Sequence, residues 1–295
     1  MTNRKIVQEL YPKMMAEIRA HQPTTTVPLC PLCLQPFVCE EDSPFLPTAD
    51  HIVPESVGGA ICTLTSKHCN NTHGSTLDSH LKKAMDAFDF LSGKGTLPAV
   101  IKNSVGHISA NMDWNDATPV KINIIGEKAS HPAAIEDLHC RFPIDRKLSF
   151  TLSFGFIPEA FWRAILRVGY LAAFHQFGYA YALSKGGAQV REALSARFLP
   201  NNVILSAYPS GDLEVPFLVH CLKDGIFVLF RVQSGRTRWL AVMLPGFEGC
   251  AWEDLEKVSS VASRLRMVLK RGDDPELTVG FGPEPIEEIR GLQFP

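Results

Sequence analysis

Five of the eight cysteines crowd into one stretch, Cys30, Cys33, Cys39, Cys62 and Cys69, while Cys140, Cys221 and Cys250 stand alone. Nothing else in the chain constrains its fold as sharply. Cys30 and Cys33 form a C-x2-C knuckle, the spacing that presents two thiolates to one tetrahedral ion. The opening MTNRKIVQELYPKMMAEIRAH lacks the apolar core of a secretion signal, so clustered thiols point to metal rather than disulfides. Zn²⁺ is the expected ion, and Cys69 supplies a third thiolate. A second C-x2-C would need a cysteine at position 66, which is Ser66, a poor zinc ligand. The fourth place is therefore expected to fall to Cys62, with His68 and Cys39 as alternatives. The three isolated cysteines are expected to be buried small hydrophobes.

Between the knuckle and Cys69 lies ADHIVPESVGG, residues 49–59, which sets Asp50 directly before His51 in a strand-like run. Neighbouring side chains on a strand point to opposite faces, so the two share a task only at a strand's edge or end. TLTSKHCNNTHG follows. The ordered pattern C-x2-C, D-H-I-x-P, G-G, C-N-N-x-x-G resembles the HNH endonuclease family, over about residues 28–93. The resemblance implies a ββα-metal fold, with Asp50 and His51 ending the first strand of a hairpin and a helix beginning near Cys69 and Asn70. It also implies that Asp50 and Asn70 hold one Mg²⁺ or Mn²⁺, with His73 as the rival ligand, and that His51 is the general base that activates water. An asparagine that commonly orients the base in that family has no evident counterpart. The implied activity is metal-dependent hydrolysis of phosphodiester bonds in nucleic acid, double-stranded DNA ahead of RNA. Prokaryotic restriction or anti-phage defence is the implied setting, with a homodimer or a partner protein of such a system. Lys67, Lys82 and Lys83 are the candidate phosphate contacts. The alternative is a zinc-containing nucleic-acid-binding or regulatory protein whose catalysis is weak or lost.

The rest of the chain reads as α+β. Ile6, Leu10, Met14 and Ile18 repeat at helical spacing, which predicts an amphipathic N-terminal helix and connector over residues 1–27. The small zinc-stapled module is expected over 28–93, and a larger α+β domain for target recognition or regulation over 99–295. In that domain GHISANMDW and PVKINIIG predict a hairpin, LSFTLSFGF a strand, and about Pro158 to Leu183 a long buried helix. A shorter helix around AQVREALSARF precedes four strands, NVILSAY, EVPFLVHCL, GIFVLFRV and RWLAVMLP, whose short links predict an antiparallel sheet. The Pro- and Gly-rich tail after Gly272 is expected to be irregular. Net charge is −2, so no basic arm is available and nucleic acid would be met through a local patch. The apolar run 164–183 is interrupted by Arg167, His175 and Gln176, which disfavours a membrane span, and the expected location is the cytoplasm.

Overall fold

A computed structural model describes residues 3–102, 105–115, 118–125, 130–145, 150–152, 154–196, 204–209, 213–255, 257, 267–269 and 277–282. The chain is a mixture of helices and antiparallel sheets, as the periodicities predict. Helix α1 (Asn3–His21) buries Met14 and Ile18 from its predicted apolar face. Strands β1 (Pro47–His51) and β2 (Cys62–Ser66) pair antiparallel, with Asp50 opposite Thr63 and His51 opposite Cys62. The turn between them needs its two glycines. Gly58 has φ 88°, and a Cβ on Gly59 would sit 1.6 Å from the Val53 carbonyl oxygen. Ser66 then caps helix α2 (Lys67–His73), its Oγ accepting from the Cys69 N–H. A π-helical turn (Gly74–Asp78) leads into α3 (Ser79–Leu91).

The described residues divide into two compact units. One contains residues 82–156 and 234–236. Its sheet has the order β5-β4-β3-β6, from β3 (Lys94–Lys102), β4 (His107–Asn115), β5 (Thr118–Ile124) and β6 (Phe150–Leu152), with α4 (Pro132–Asp145) beside them. Ala87, Phe90, Leu97, Ala99 and Met112 form a core cluster there. The predicted hairpin is β4–β5; the strand predicted over 148–156 is described only at β6.

The other unit joins residues 1–81 to 157–233 and 237–295. Helix α5 (Pro158–Ala182), the long buried helix predicted, is followed by α6 (Lys185–Ser195) and six strands: β7 (Ile204–Pro209), β8 (Phe217–Cys221), β9 (Gly225–Gln233), β10 (Thr237–Pro245), β11 (Met267–Leu269) and β12 (Leu277–Gly282). They form one antiparallel sheet in the order β11-β12-β7-β10-β9-β8, with α5 lying against β9 and β10. The aromatic stripe of α5 is core: Phe161, Tyr170, Phe174, Tyr179 and Tyr181 are buried. No helix among the described residues is long and apolar enough to cross a membrane.

Three expectations need correction. Residues 99–295 are not one domain, because α5 and the six-stranded sheet belong with residues 1–81. The tail after Gly272 carries β12, whose Val279–Gly282 segment pairs with β7. Cys140 and Cys221 are exposed and Cys250 half-buried, so these isolated cysteines are not core residues.

Arg167 explains the first correction. It is fully buried in α5, where an unpaired guanidinium would be prohibitively costly. Its Nη2 donates to Asp50 Oδ2 of β1 at 2.5 Å, and its Nη1 donates to both oxygens of Asp78, at 3.0 and 3.3 Å. Two carboxylates from the N-terminal segment thus satisfy one cation from α5. Replacing Arg167 by Met would leave buried Asp50 and partly buried Asp78 without a counter-charge, a change that costs about 3–5 kcal/mol. Urea unfolding of Arg167→Met should show a loss of that size, partly restored by adding Asp50→Asn. A loss below about 1 kcal/mol, the level of an exposed pair, would mean the trio does not hold the unit together.

Candidate metal centre

The first turn of the centre is shaped before any metal arrives. In the knuckle, the Leu34 N–H closes on the Cys30 carbonyl at 2.8 Å, and the Cys30 N–H donates to the Gln35 carbonyl at 2.9 Å. Leu34 takes φ 56°, uncommon for a residue with a branched side chain, and this reversal turns both cysteines to one side. Helix α5 braces the turn from behind. Tyr170 Oη donates to the Pro31 carbonyl at 2.7 Å, and Tyr179 Oη both donates to the Leu29 carbonyl and accepts from the Leu29 N–H.

The third thiol comes from α2. The Sγ atoms of Cys30, Cys33 and Cys69 all lie within 4.8 Å of one another. A tetrahedron with Zn–S bonds of ~2.3 Å has S···S edges of about 3.8 Å, so small side-chain rotations bring all three onto one ion. The Ser66 N–H donates to Cys30 Sγ at 3.3 Å, the kind of amide contact that steadies a thiolate. The thiols also act on one another. Hydrogen bonds with Cys30 and Cys69 pull the Cys33 thiol well down, while those with Cys30 and Cys33 push Cys69 up. Burial pushes Cys30 up. Of the three thiols, Cys33 is the one these contacts favour as a thiolate.

Cys62 stays outside this cluster. It occupies the start of β2 opposite His51, and a strand rises ~3.3 Å per residue, which puts it about 13 Å along the strand from Ser66. The other candidates for the fourth place are absent as well: His68 and Cys39 are both exposed and neither joins the group. The side chain beside the thiols is Ser66, fully buried, with its Oγ 3.9 Å from Cys33 Sγ.

The residues expected to hold a second, catalytic ion lie on the same hairpin. Asp50 is 3% exposed, and its Oδ2 accepts from Thr65 Oγ1 at 2.8 Å as well as from Arg167. Asn70 turns its Nδ2 to the strand, donating to the Ala49 carbonyl at 3.0 Å and to Thr48 Oγ1 at 3.2 Å, which leaves its Oδ1 as the outward acceptor. His73 has a buried Nδ1 with no hydrogen-bond partner. Its pKa is pushed down to about 4, first by burial and then by the positive charge of Arg167, so its ring is neutral near pH 7. Burial pushes Asp78 up to about 6 against the pull of the same guanidinium. His51 is half-buried at the end of β1.

The candidate phosphate contacts are scattered. Lys67 Nζ donates to the Glu41 carbonyl at 3.4 Å, and Lys82 pairs with Asp86 one helical turn away. Lys83 is exposed, and both Lys82 and Lys83 belong to the unit of residues 82–156. Sequence reasoning missed Arg167 as a partner of Asp50 and Asp78, although a charge in an apolar helix signals a buried counter-charge somewhere. It also passed over Ser66, whose spacing to Cys69 repeats that of Cys30 to Cys33. No protein-family model, curated protein or solved structure matches the chain.

Two measurements follow from this geometry. Cys30→Ser and Cys69→Ser should each lose bound metal, measured by elemental analysis of purified protein, while Cys62→Ser should keep the wild-type content. Metal loss in the last variant would put Cys62 back among the ligands. The second concerns pH. A histidine held neutral by the fold contributes stability that is complete above its unfolded pKa, ~6.5, and disappears as pH falls through the folded value. Asp78, with a raised pKa, works in the opposite direction, losing its contribution as pH rises through about 6. Comparison with His73→Gln separates the two: wild type should lose more stability than the variant between pH 6.5 and pH 4. Parallel pH profiles would show that His73 is not held neutral by the fold.

Proposed function

We propose that residues 28–93 act as an HNH-type nuclease module and that the protein is a metal-dependent endonuclease cutting phosphodiester bonds in double-stranded DNA. The observation that carries the reading is one of order and placement. A hairpin ends its first strand in Asp50 and His51, and the helix after its second strand brings Asn70, directly after Cys69 of the thiol cluster, onto that first strand at Thr48 and Ala49. The donor set suits two ions of different character. Cys30, Cys33 and Cys69 are soft ligands that would hold Zn²⁺ as a structural staple, replacing core that a short module cannot build. Asn70 Oδ1, the second oxygen of Asp50 and the partnerless His73 Nδ1 would hold Mg²⁺ or Mn²⁺. Such an ion polarises the scissile phosphate and stabilises the leaving oxygen. His51 would take the proton of the attacking water at its ring nitrogen, the general-base role to which an imidazole is suited.

A second reading keeps the zinc fold and the contact with nucleic acid but has lost catalysis. The Asp50–Arg167 pair favours it, because a guanidinium already neutralises the carboxylate that a divalent ion would use. For the same reason Asp50 is a poor residue to test: its loss would unbalance a buried ion trio as well as remove a ligand. His51 tests catalysis more cleanly. Wild-type protein should nick supercoiled plasmid with Mg²⁺ or Mn²⁺ and stop when EDTA is added. His51→Ala should cut ~10²–10⁴-fold more slowly while keeping its zinc and its fold. Binding of the plasmid without cleavage in either ion would establish the second reading instead.

A further inference from the structure

We propose that the ion held by Cys30, Cys33 and Cys69 takes Ser66 Oγ as its fourth ligand, making a centre of three thiolates and one oxygen. The inference rests on the reading of the three thiols as a zinc site and deepens it. Ser66-x2-Cys69 repeats the spacing of Cys30-x2-Cys33, so β2 and α2 form a second knuckle with serine at its first position. Three contacts place the side chain there. Ser66 Oγ is 3.9 Å from Cys33 Sγ, its N–H reaches Cys30 Sγ at 3.3 Å, and its Oγ accepts from the Cys69 N–H at 3.2 Å. Every thiol of the cluster therefore touches Ser66 or belongs to a residue whose backbone does. In a tetrahedron with Zn–S of ~2.3 Å and Zn–O of ~2.0 Å, the S···O edge is about 3.5 Å, close to the observed separation.

The remaining acceptor capacity of Oγ is sufficient. A hydroxyl has two lone pairs, and the Cys69 N–H uses one. The other can bind the ion, leaving the hydroxyl proton in place or, if it dissociates to solvent, an alkoxide. No other described cysteine, histidine or carboxylate joins the group, and Ser66 is fully buried against the thiols. Such a centre differs in chemistry from one with four thiolates. It carries one less formal negative charge while the serine stays protonated, and its single hard ligand is the one that exchanges most readily.

Cobalt substitution in the full-length protein tests this, because thiolate-to-Co²⁺ charge-transfer absorption grows with the number of thiolates and the ligand-field bands report tetrahedral coordination. Wild type should give a tetrahedral spectrum. Ser66→Cys should raise the charge-transfer intensity by about one third, from three thiolates to four, and slow zinc release to a chelator. Ser66→Ala should keep the three-thiolate intensity, shift the ligand-field bands and release zinc about tenfold faster. Because alanine also removes the helix cap, the band shift decides for that variant, and Ser66→Asp, which restores both cap and oxygen, should return release toward the wild-type rate. Unchanged charge transfer in Ser66→Cys, or unchanged ligand-field bands in Ser66→Ala, would overturn the assignment of Ser66. Those results with metal still lost in Cys30→Ser would leave the three-thiolate site standing. Full metal in Cys30→Ser would remove the site itself.

Discussion

The guanidinium of Arg167 is the interaction on which this architecture turns. A fully buried cation is tolerated only where anions are delivered to it, and both of its anions come from a part of the chain about ninety or more residues earlier. Asp50 is the penultimate residue of β1 and Asp78 ends a π-helical turn, so satisfying Arg167 fixes the position of the hairpin and of the α2–α3 junction at once. Even then the accounting is incomplete: Arg167 Nε has no partner. The trio therefore favours a specific arrangement more than it adds stability, since well-packed apolar residues could fill the same volume at no greater cost.

From that point α5 acts as the spine of its unit. Along this element, which breaks at Gly178 (φ 57°, ψ −143°), Arg167 grips the hairpin, Tyr170 before the break and Tyr179 just after it hold the knuckle by its backbone carbonyls, and the helix also lies on β9 and β10. The knuckle is a short apolar segment, with Leu32 and Phe37 buried, and it carries one strained backbone angle at Leu34. Tyrosines suit the bracing task because each brings an apolar ring to the core and one hydroxyl to an otherwise unpaired carbonyl. The thiols are thus brought within reach of one another by an apolar helix as well as by any ion they hold.

How far the sequence reveals this depends on distance along the chain. Periodicity located α1, α5, the β4–β5 hairpin and the β8–β9–β10 meander, because each is a local pattern with its own turns. The thiols of Cys30, Cys33 and Cys69 were legible for the same reason, two of them in one turn and the third at a helix start. Cys62 was misplaced because proximity in sequence was allowed to stand for proximity in space, and an extended strand carries a residue away at more than 3 Å per step. Ser66, dismissed for its chemistry, sat at the right spacing all along. Arg167 and the division of the chain were beyond local patterns: nothing near residue 167 names Asp50 or Asp78 as its partners, and a domain formed by three separated segments leaves no composition shift to mark it. The β12 strand was hidden by the Pro and Gly around it, which describe the loops beside a strand as readily as an irregular tail.

The two halves of the Asp50–His51 pair separate on these same grounds. Successive strand residues face opposite ways, and the burial follows: Asp50 turns to Thr65, Arg167 and the α2 face, while His51 keeps a partly open ring at the strand's end. A base must meet solvent and substrate, so the open position is the one suited to proton transfer. A metal ligand needs fixed direction more than exposure, and Asp50 has that direction from Thr65 and Arg167 together. The same guanidinium that orients the carboxylate also competes for it. On the nuclease reading proposed above, an ion joining Arg167 at Asp50 would use the second carboxylate oxygen, Asn70 Oδ1 and His73 Nδ1, acceptors without a hydrogen bond among the described residues. A neutral histidine and an amide add no charge of their own. The carboxylates at hand, Asp50 and Asp78, are both already paired with the one guanidinium, so a divalent ion would have to compete with Arg167 for them.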